Sequence, residues 1–297
     1  MSPSPTGYAD NGGVRIAFDD LGGTGGEPLL LVQGASVTRF WWPPGLVDEL
    51  IARGFHVASY DNRDAGQSTH FPAAAARPVT ALFRRRPPAY TGEDVTDDAT
   101  AVMDAMGWDS AHLFGHSNGG LNAQRIAIRH PKRVRSLATS AAVSSDAGRA
   151  KLLWYIRFGS VARMARLRFP ETREGDIAMS LAISRALASP GFPFDEAEAL
   201  SRIEKDDVCP VRDDSTMGRQ LGAHWSGGRL ADLRVPAVVL QGDSDQLLRT
   251  SAARDLARAI PGAKLVITPG VGHDLPRGIW GRYADEIRAV ADAVRVR

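Results

Sequence analysis

One cysteine, Cys209, stands in 297 residues. A single thiol closes no internal disulfide, so the covalent chemistry calls for no oxidising compartment. An excess of charge of either sign is lacking too. The 36 Lys and Arg against 34 Asp and Glu leave a formal net charge of +2, which gives no general attraction to nucleic acid or to an anionic membrane. No apolar run approaches the ~20 residues of a membrane-spanning helix. Residues 1–11 are polar and rich in Ser, Pro and Gly, without the apolar stretch of a secretory signal. Internal repeats and low-complexity tracts are missing as well. The expectation is a cytosolic protein acting on a small molecule, with neither nucleic acid nor membrane as partner.

The composition that remains, 43% hydrophobic and 24% charged, suits a globular chain with a large core. Its length fits a single α/β domain carrying an insertion. Gly13–Phe18 reads as a first strand. Pro28-Leu-Leu-Leu-Val-Gln33 is a continuous apolar run of the kind buried on both faces of a parallel sheet. Further strands are expected at 55–60, 111–115, 134–140, 235–240 and 264–268. Helical spacing separates them at 45–53, 94–106, 119–129, 251–260 and 279–294, with Thr91 or Thr96 as the cap of the second helix. From 144 to 228 strand-like runs vanish, and amphipathic pieces broken by Pro170, Pro190, Pro193 and Pro210 replace them. Alternating strands and helices on both sides of such a stretch predict a mostly parallel sheet covered by helices. The core would be 1–143 with 229–297. The helical insertion, 144–228, would sit as a cap over the strands' carboxyl ends, where such sheets place ligands.

The chemistry concentrates at Gly115-His116-Ser117-Asn118-Gly119, a G-x-S-x-G sequence entered by an apolar strand and left by a helical pattern. A serine on that sharp turn is lifted above the sheet, and the glycines let strand and helix approach. A hydroxyl needs a base. Of seven histidines, His273 follows the strand at 264–268 in the loop Pro269-Gly-Val-Gly-His273, at the correct sheet edge. The acid that orients it should follow the strand before that, in Gln241-Gly-Asp-Ser-Asp245. Asp245 lies farther from the strand end and is preferred, with Asp243 as the alternative or as support for the turn. The order Ser117, Asp245, His273 is the one that this strand–turn–helix arrangement uses. Two amides are needed for an oxyanion: that of Asn118, and that of Ala35 in the loop after Gln33, where Gly34 leaves room for a substrate carbonyl.

At these residues the chain resembles the α/β-hydrolase superfamily over nearly its whole length, and within it the aclacinomycin methylesterases. The matching stretches are Leu29-Leu-Leu-Val-Gln-Gly34, Tyr60-Asp-Asn-Arg-Asp-Ala-Gly-Gln-Ser-Thr69, Gly191-Phe-Pro-Phe-Asp195 and Gly272-His-Asp-Leu-Pro276. The resemblance carries a triad onto Ser117, Asp245 and His273 and the oxyanion amides onto Ala35 and Asn118. It also implies an apolar pocket beneath a helical cap, with no cofactor and no metal.

Pocket walls are expected from Gly34, Trp41 and Trp42 beside the oxyanion loop, and from Trp154, Tyr155 and Phe158 in the insertion, which could equally form its own core. Asp61 and Arg63 should brace the neighbouring loop, Arg84–Arg86 should be a solvated basic loop, and Cys209 a small buried residue. The function expected is hydrolysis of a bulky apolar ester, a methyl ester or lactone, through an acyl-serine. Other reactions of the same three residues (C–C hydrolysis, amide cleavage, acyl transfer) and a silent ligand-binding protein are the rivals.

Overall fold

The computed structural model of the chain describes residues 6–72, 89–206 and 214–294. The described strands are β1 (Gly7–Asn11), β2 (Val14–Gly22), β3 (Glu27–Val32), β4 (Phe55–Tyr60), β5 (Ala111–His116), β6 (Val134–Ser140), β7 (Ala237–Gly242) and β8 (Lys264–Thr268). They form one sheet in the order β1-β2-β4-β3-β5-β6-β7-β8. β1–β2 and β2–β4 pair antiparallel, and every pairing from β4 to β8 is parallel. The expected first strand is therefore the second. It begins after a turn at Gly12 and Gly13, whose φ values of +61° and +88° suit glycine.

The helices are α1 (Pro44–Ala52), α2 (Gly92–Ala105), α3 (Asn118–Arg129), α4 (Arg149–Tyr155), α5 (Phe158–Met164), α6 (Arg173–Leu187), α7 (Glu196–Glu204), α8 (Asp214–Gly222), α9 (Thr250–Ala259) and α10 (Trp280–Asp292). Thr91 caps α2 in a reciprocal box: its hydroxyl accepts from the Asp94 amide at 3.2 Å, and Asp94 accepts from the Thr91 amide at 2.7 Å. Side chains of α2, α3 and α9, among them Val102, Met103, Ile126 and Leu256, build a core on one face of the sheet. Leu46 and Leu50 of α1 with Trp280, Tyr283 and Ile287 of α10 build the other. The apolar run Leu29–Val32 feeds both, since Leu29 and Leu31 point one way and Leu30 and Val32 the other.

Between β6 and β7 the described secondary structure is helical, α4 to α8 with one 3-10 turn. This segment is tied to the loops at the carboxyl ends of the strands at three places. Residues 155–157 pair with the loop after β7: the Arg157 amide donates to Leu247 O at 2.8 Å, and the Arg249 amide to Tyr155 O at 2.9 Å. The stretch after α6 meets the loop after β8: the His273 amide donates to Leu187 O at 3.1 Å, the Gly191 amide to Gly270 O at 2.9 Å, and the Gly272 amide to Ser189 Oγ at 2.7 Å. Helices α7 and α8 meet the loop after β3, where Arg202 donates to the Trp41 carbonyl and Gln220 accepts from the Ser36 amide. By contrast α5 buries none of its residues and α4 only Tyr155. Arg84–Arg86 and Cys209 lie outside the described residues.

Candidate active site

Ser117 follows β5 and caps the N-terminus of α3 with φ +55°, a left-handed backbone that a non-glycine residue seldom adopts. The turn closes only because its flanks carry no side chains. A Cβ on Gly119 would overlap the carbonyl oxygens of Val32 and Gln33, and one on Gly115 would overlap the Gly119 backbone. The Ser117 amide donates to Ser140 O at 2.8 Å, which fastens the turn to the end of β6. Its hydroxyl then stands beside Gly34, where an added Cβ would sit 3.8 Å from Ser117 Oγ.

The loops after β7 and β8 bring Asp245 and His273 to the same point. His273 Nε2 lies 3.0 Å from Ser117 Oγ, and Nδ1 lies 2.9 Å from Asp245 Oδ2 and 3.1 Å from Oδ1. Asp245 also accepts from the amides of Leu247 and Leu248 at 2.7 and 2.9 Å and from Gln241 Nε2 at 2.9 Å. Burial alone would raise its pKa. The charge and hydrogen bond of His273, with those from Leu248 and Gln241, outweigh burial and hold the carboxyl below its ordinary value. An ionised carboxylate only accepts, so Nδ1 of His273 must be the protonated nitrogen, leaving Nε2 to accept from the serine hydroxyl. Asp243 is elsewhere. It is exposed and accepts from the Gly270 amide at 2.8 Å, bracing the turn.

Asn118 follows Ser117 as the first residue of α3, and Gly34, the neighbour of Ala35, abuts Ser117. Trp41 is half-buried and stacks on His116, ring centroids 4.6 Å apart, with His116 edge-on to His273. Other expected pocket residues are placed differently. Trp42 is buried in the core against Phe114, and Tyr155 is buried with its hydroxyl on Asp255 of α9 at 2.7 Å. Trp154, 65% exposed, lies under the Arg249 guanidinium, and Phe158 is 48% exposed on the outer surface.

Asp61 and Arg63 brace as expected. Asp61 takes Arg39 and the Gln67 amide, and Arg63 pairs with Asp98. Sequence reading passed over Asn62 and Gln220, whose side chains grip the loop carrying Gly34 and Ala35. Asn62 lay in a motif already singled out; Gln220, on a polar helix, left no signal. Among the described residues no group of three His, Cys, Asp or Glu is placed to hold a metal. No described helix is long and apolar enough to cross a membrane.

An eight-stranded sheet of this order, with a serine on a strained strand-to-helix turn, matches known proteins. The model of the alpha/beta hydrolase fold family matches residues 27–276, and the protein belongs to that family. Among curated relatives, rhodomycin D methylesterase DnrP of Streptomyces peucetius is 27% identical over 313 residues, spanning 98% of this chain and all of that one. Among solved structures, an esterase of Rhodococcus sp. ECU1013 superposes with a TM-score of 0.73 at 20% identity, over 99% of this chain and all of that chain. A thermophilic esterase of Thermogutta terrifontis gives 0.67 at 21% identity, over 99% of each.

Proposed function

We propose that the protein is a serine esterase that hydrolyses a bulky apolar carboxylic ester, a methyl ester or lactone, through an acyl-enzyme on Ser117. The carrying observation is the continuous hydrogen-bonded line from Asp245 through His273 to Ser117 Oγ. His273 takes the hydroxyl proton as Ser117 attacks the ester carbonyl, while Asp245 holds the tautomer and stabilises the imidazolium. The amides of Ala35 and Asn118 receive the oxyanion, each contributing about 3–4 kcal/mol to the transition state. His273 hands its proton to the departing alcohol. Water, deprotonated by the same imidazole, then attacks the acyl-serine, and the imidazolium returns that proton to Ser117 Oγ as the acid leaves. No step asks for a cofactor.

The name of the Streptomyces relative, aligned over the full length, supports a methyl ester. In this reading residues 144–228 form the cap, and Trp41 supplies an apolar wall next to the nucleophile. Hydrolysis of a p-nitrophenyl ester tests it. The wild type should turn over and should gain one organophosphonate adduct, on Ser117. Ser117→Ala should lose both the adduct and at least about 10³-fold in rate. Equal rates for the two proteins would overturn the assignment. A panel of methyl esters, lactones and anilides resolves the leaving group.

A further inference from the structure

Among the described residues four that are not glycine have positive φ: Ser36, Asp64, Ser117 and Ala141. Ser117 is the proposed nucleophile. Two of the others are gripped by consecutive residues of α8. Arg219 donates to Asp64 with Nε at 2.7 Å and Nη2 at 3.1 Å. Gln220 Oε1 accepts from the Ser36 amide at 2.8 Å, and its Nε2 donates to Arg63 O at 3.0 Å. Ser36, Arg63 and Gln220 are all buried, so water offers these groups no ready substitute.

The chain position of Ser36 makes the contact matter. The peptide joining Ala35 to Ser36 is held through its N–H by Gln220. The preceding peptide joins Gly34 to Ala35, and its carbonyl accepts from Asn62 Nδ2 at 3.3 Å. In a trans peptide the C=O and N–H point in opposite directions. Asn62 on the carbonyl therefore aims the Ala35 N–H away from Asn62, and Gly34 at the other end of that peptide abuts Ser117. With one peptide plane fixed by Asn62 and the next by Gln220, both dihedrals of Ala35 are set. Gln220 also spans to Arg63, the neighbour of Asn62, so the two grips close into one ring.

We propose that Gln220 is a positioning residue for the oxyanion site: a side chain of the inserted segment, remote from the reacting atoms, that sets the direction of the Ala35 amide. The inference rests on the serine-esterase reading above. It makes the insertion part of the machinery that stabilises the transition state as well as a wall of the pocket.

The test compares wild type, Gln220→Met and Gln220→Glu on a p-nitrophenyl ester, together with inhibition by a trifluoromethyl ketone, whose adduct with serine carries an oxyanion, and by the product acid. Gln220→Met keeps the volume and loses both hydrogen bonds. Its kcat should fall about tenfold to a hundredfold with KM within about threefold, because a misaimed donor is missed chiefly in the transition state. The trifluoromethyl ketone should weaken in proportion to kcat/KM while the product acid does not. A purely structural role would lower the active fraction and leave these inhibition constants alone. Gln220→Glu retains an acceptor for Ser36 and gives up the bond to Arg63, so it should recover most of the lost kcat. Gln220→Leu also loses both hydrogen bonds and carries the comparison should Gln220→Met not fold. Wild-type kcat and ketone affinity in Gln220→Met, or in Gln220→Leu used in its place, overturns the positioning role while leaving the serine reading intact. Wild type without turnover, or Ser117→Ala as fast as wild type, overturns that reading and this inference with it.

Discussion

His273 makes polar contacts on four sides, and each constrains something different. Nδ1 meets Asp245, Nε2 meets Ser117, the amide donates to Leu187 O, and the carbonyl accepts from His116 Nε2 at 3.0 Å. A carbonyl only accepts, so His116 carries its proton on Nε2. Burial, then the charge of His273, pushes the His116 pKa down to about 3, and the ring stays neutral above that pH. The residue before the proposed nucleophile thus holds the backbone of the proposed base. The two aspartates after β7 make a direct comparison. Asp245→Asn should lower kcat by about 10³–10⁴-fold with little change in KM, because an amide donor opposite Nδ1 favours the wrong tautomer. Asp243→Asn, which alters only a turn, should stay within about threefold of wild type. Esterase rates of the two variants side by side check the pair; the opposite ranking would move the acid to Asp243. Ser117, Asp245 and His273 could be singled out in the sequence because each follows a strand that an apolar run announces. Gln220 could not be: its value lies in one amide 184 residues away, which no periodicity encodes.

For the elements, legibility tracked burial. β3 to β8 appear within two residues of their expected bounds, since each is a short apolar run closed by a turn. β1 was missed because Gly7-Tyr-Ala-Asp-Asn11 has little apolar content, although Asn11-Gly12 is itself a hairpin signal. The strand–turn–helix unit β5–α3 has the least tolerance. Gly119 faces the carbonyl of Val32 so closely that Gly119→Ala must push α3 off β3. It should cost more than about 3 kcal/mol, at the upper end of overpacking changes. Gly148, with φ −64° and nothing within 4 Å of a built Cβ, is the control: Gly148→Ala should stay within about 0.5 kcal/mol. Urea unfolding of both variants measures the difference. An unchanged midpoint for Gly119→Ala would contradict the close approach of helix and strand.

Over the whole molecule, the inserted segment is held unevenly. Residues 187–191 and helices α7 and α8 are bonded to the loops carrying His273 and Ala35, whereas α4 and α5 are fastened only around their junction, residues 155–157, and present Leu153, Trp154 and Phe158 to solvent. Amide hydrogen exchange should show this directly. Protection in α4 and α5 should be lost well before that of β3 and β5, whose residues are buried throughout or nearly so. Equal protection would mean that the exposed helices are held by contacts the structure lacks. Which way the rings expected at the pocket face was not legible in the sequence. Trp42 and Tyr155 turn inward against Phe114 and Asp255, and which way a ring faces depends on a partner distant in sequence.

The bonds from Leu187, Ser189, Gly191 and Gln220 to the two loops also bear on redesign. Grafting a complete foreign insertion onto this sheet would replace the partners of His273 and Ser36 along with the pocket walls, so preference and turnover would shift together. Residues 158–186 lie between the pairing of Tyr155–Arg157 with Leu247–Arg249 and the anchor at Leu187, and exchange confined there would alter the covering of the site while leaving its fastenings in place.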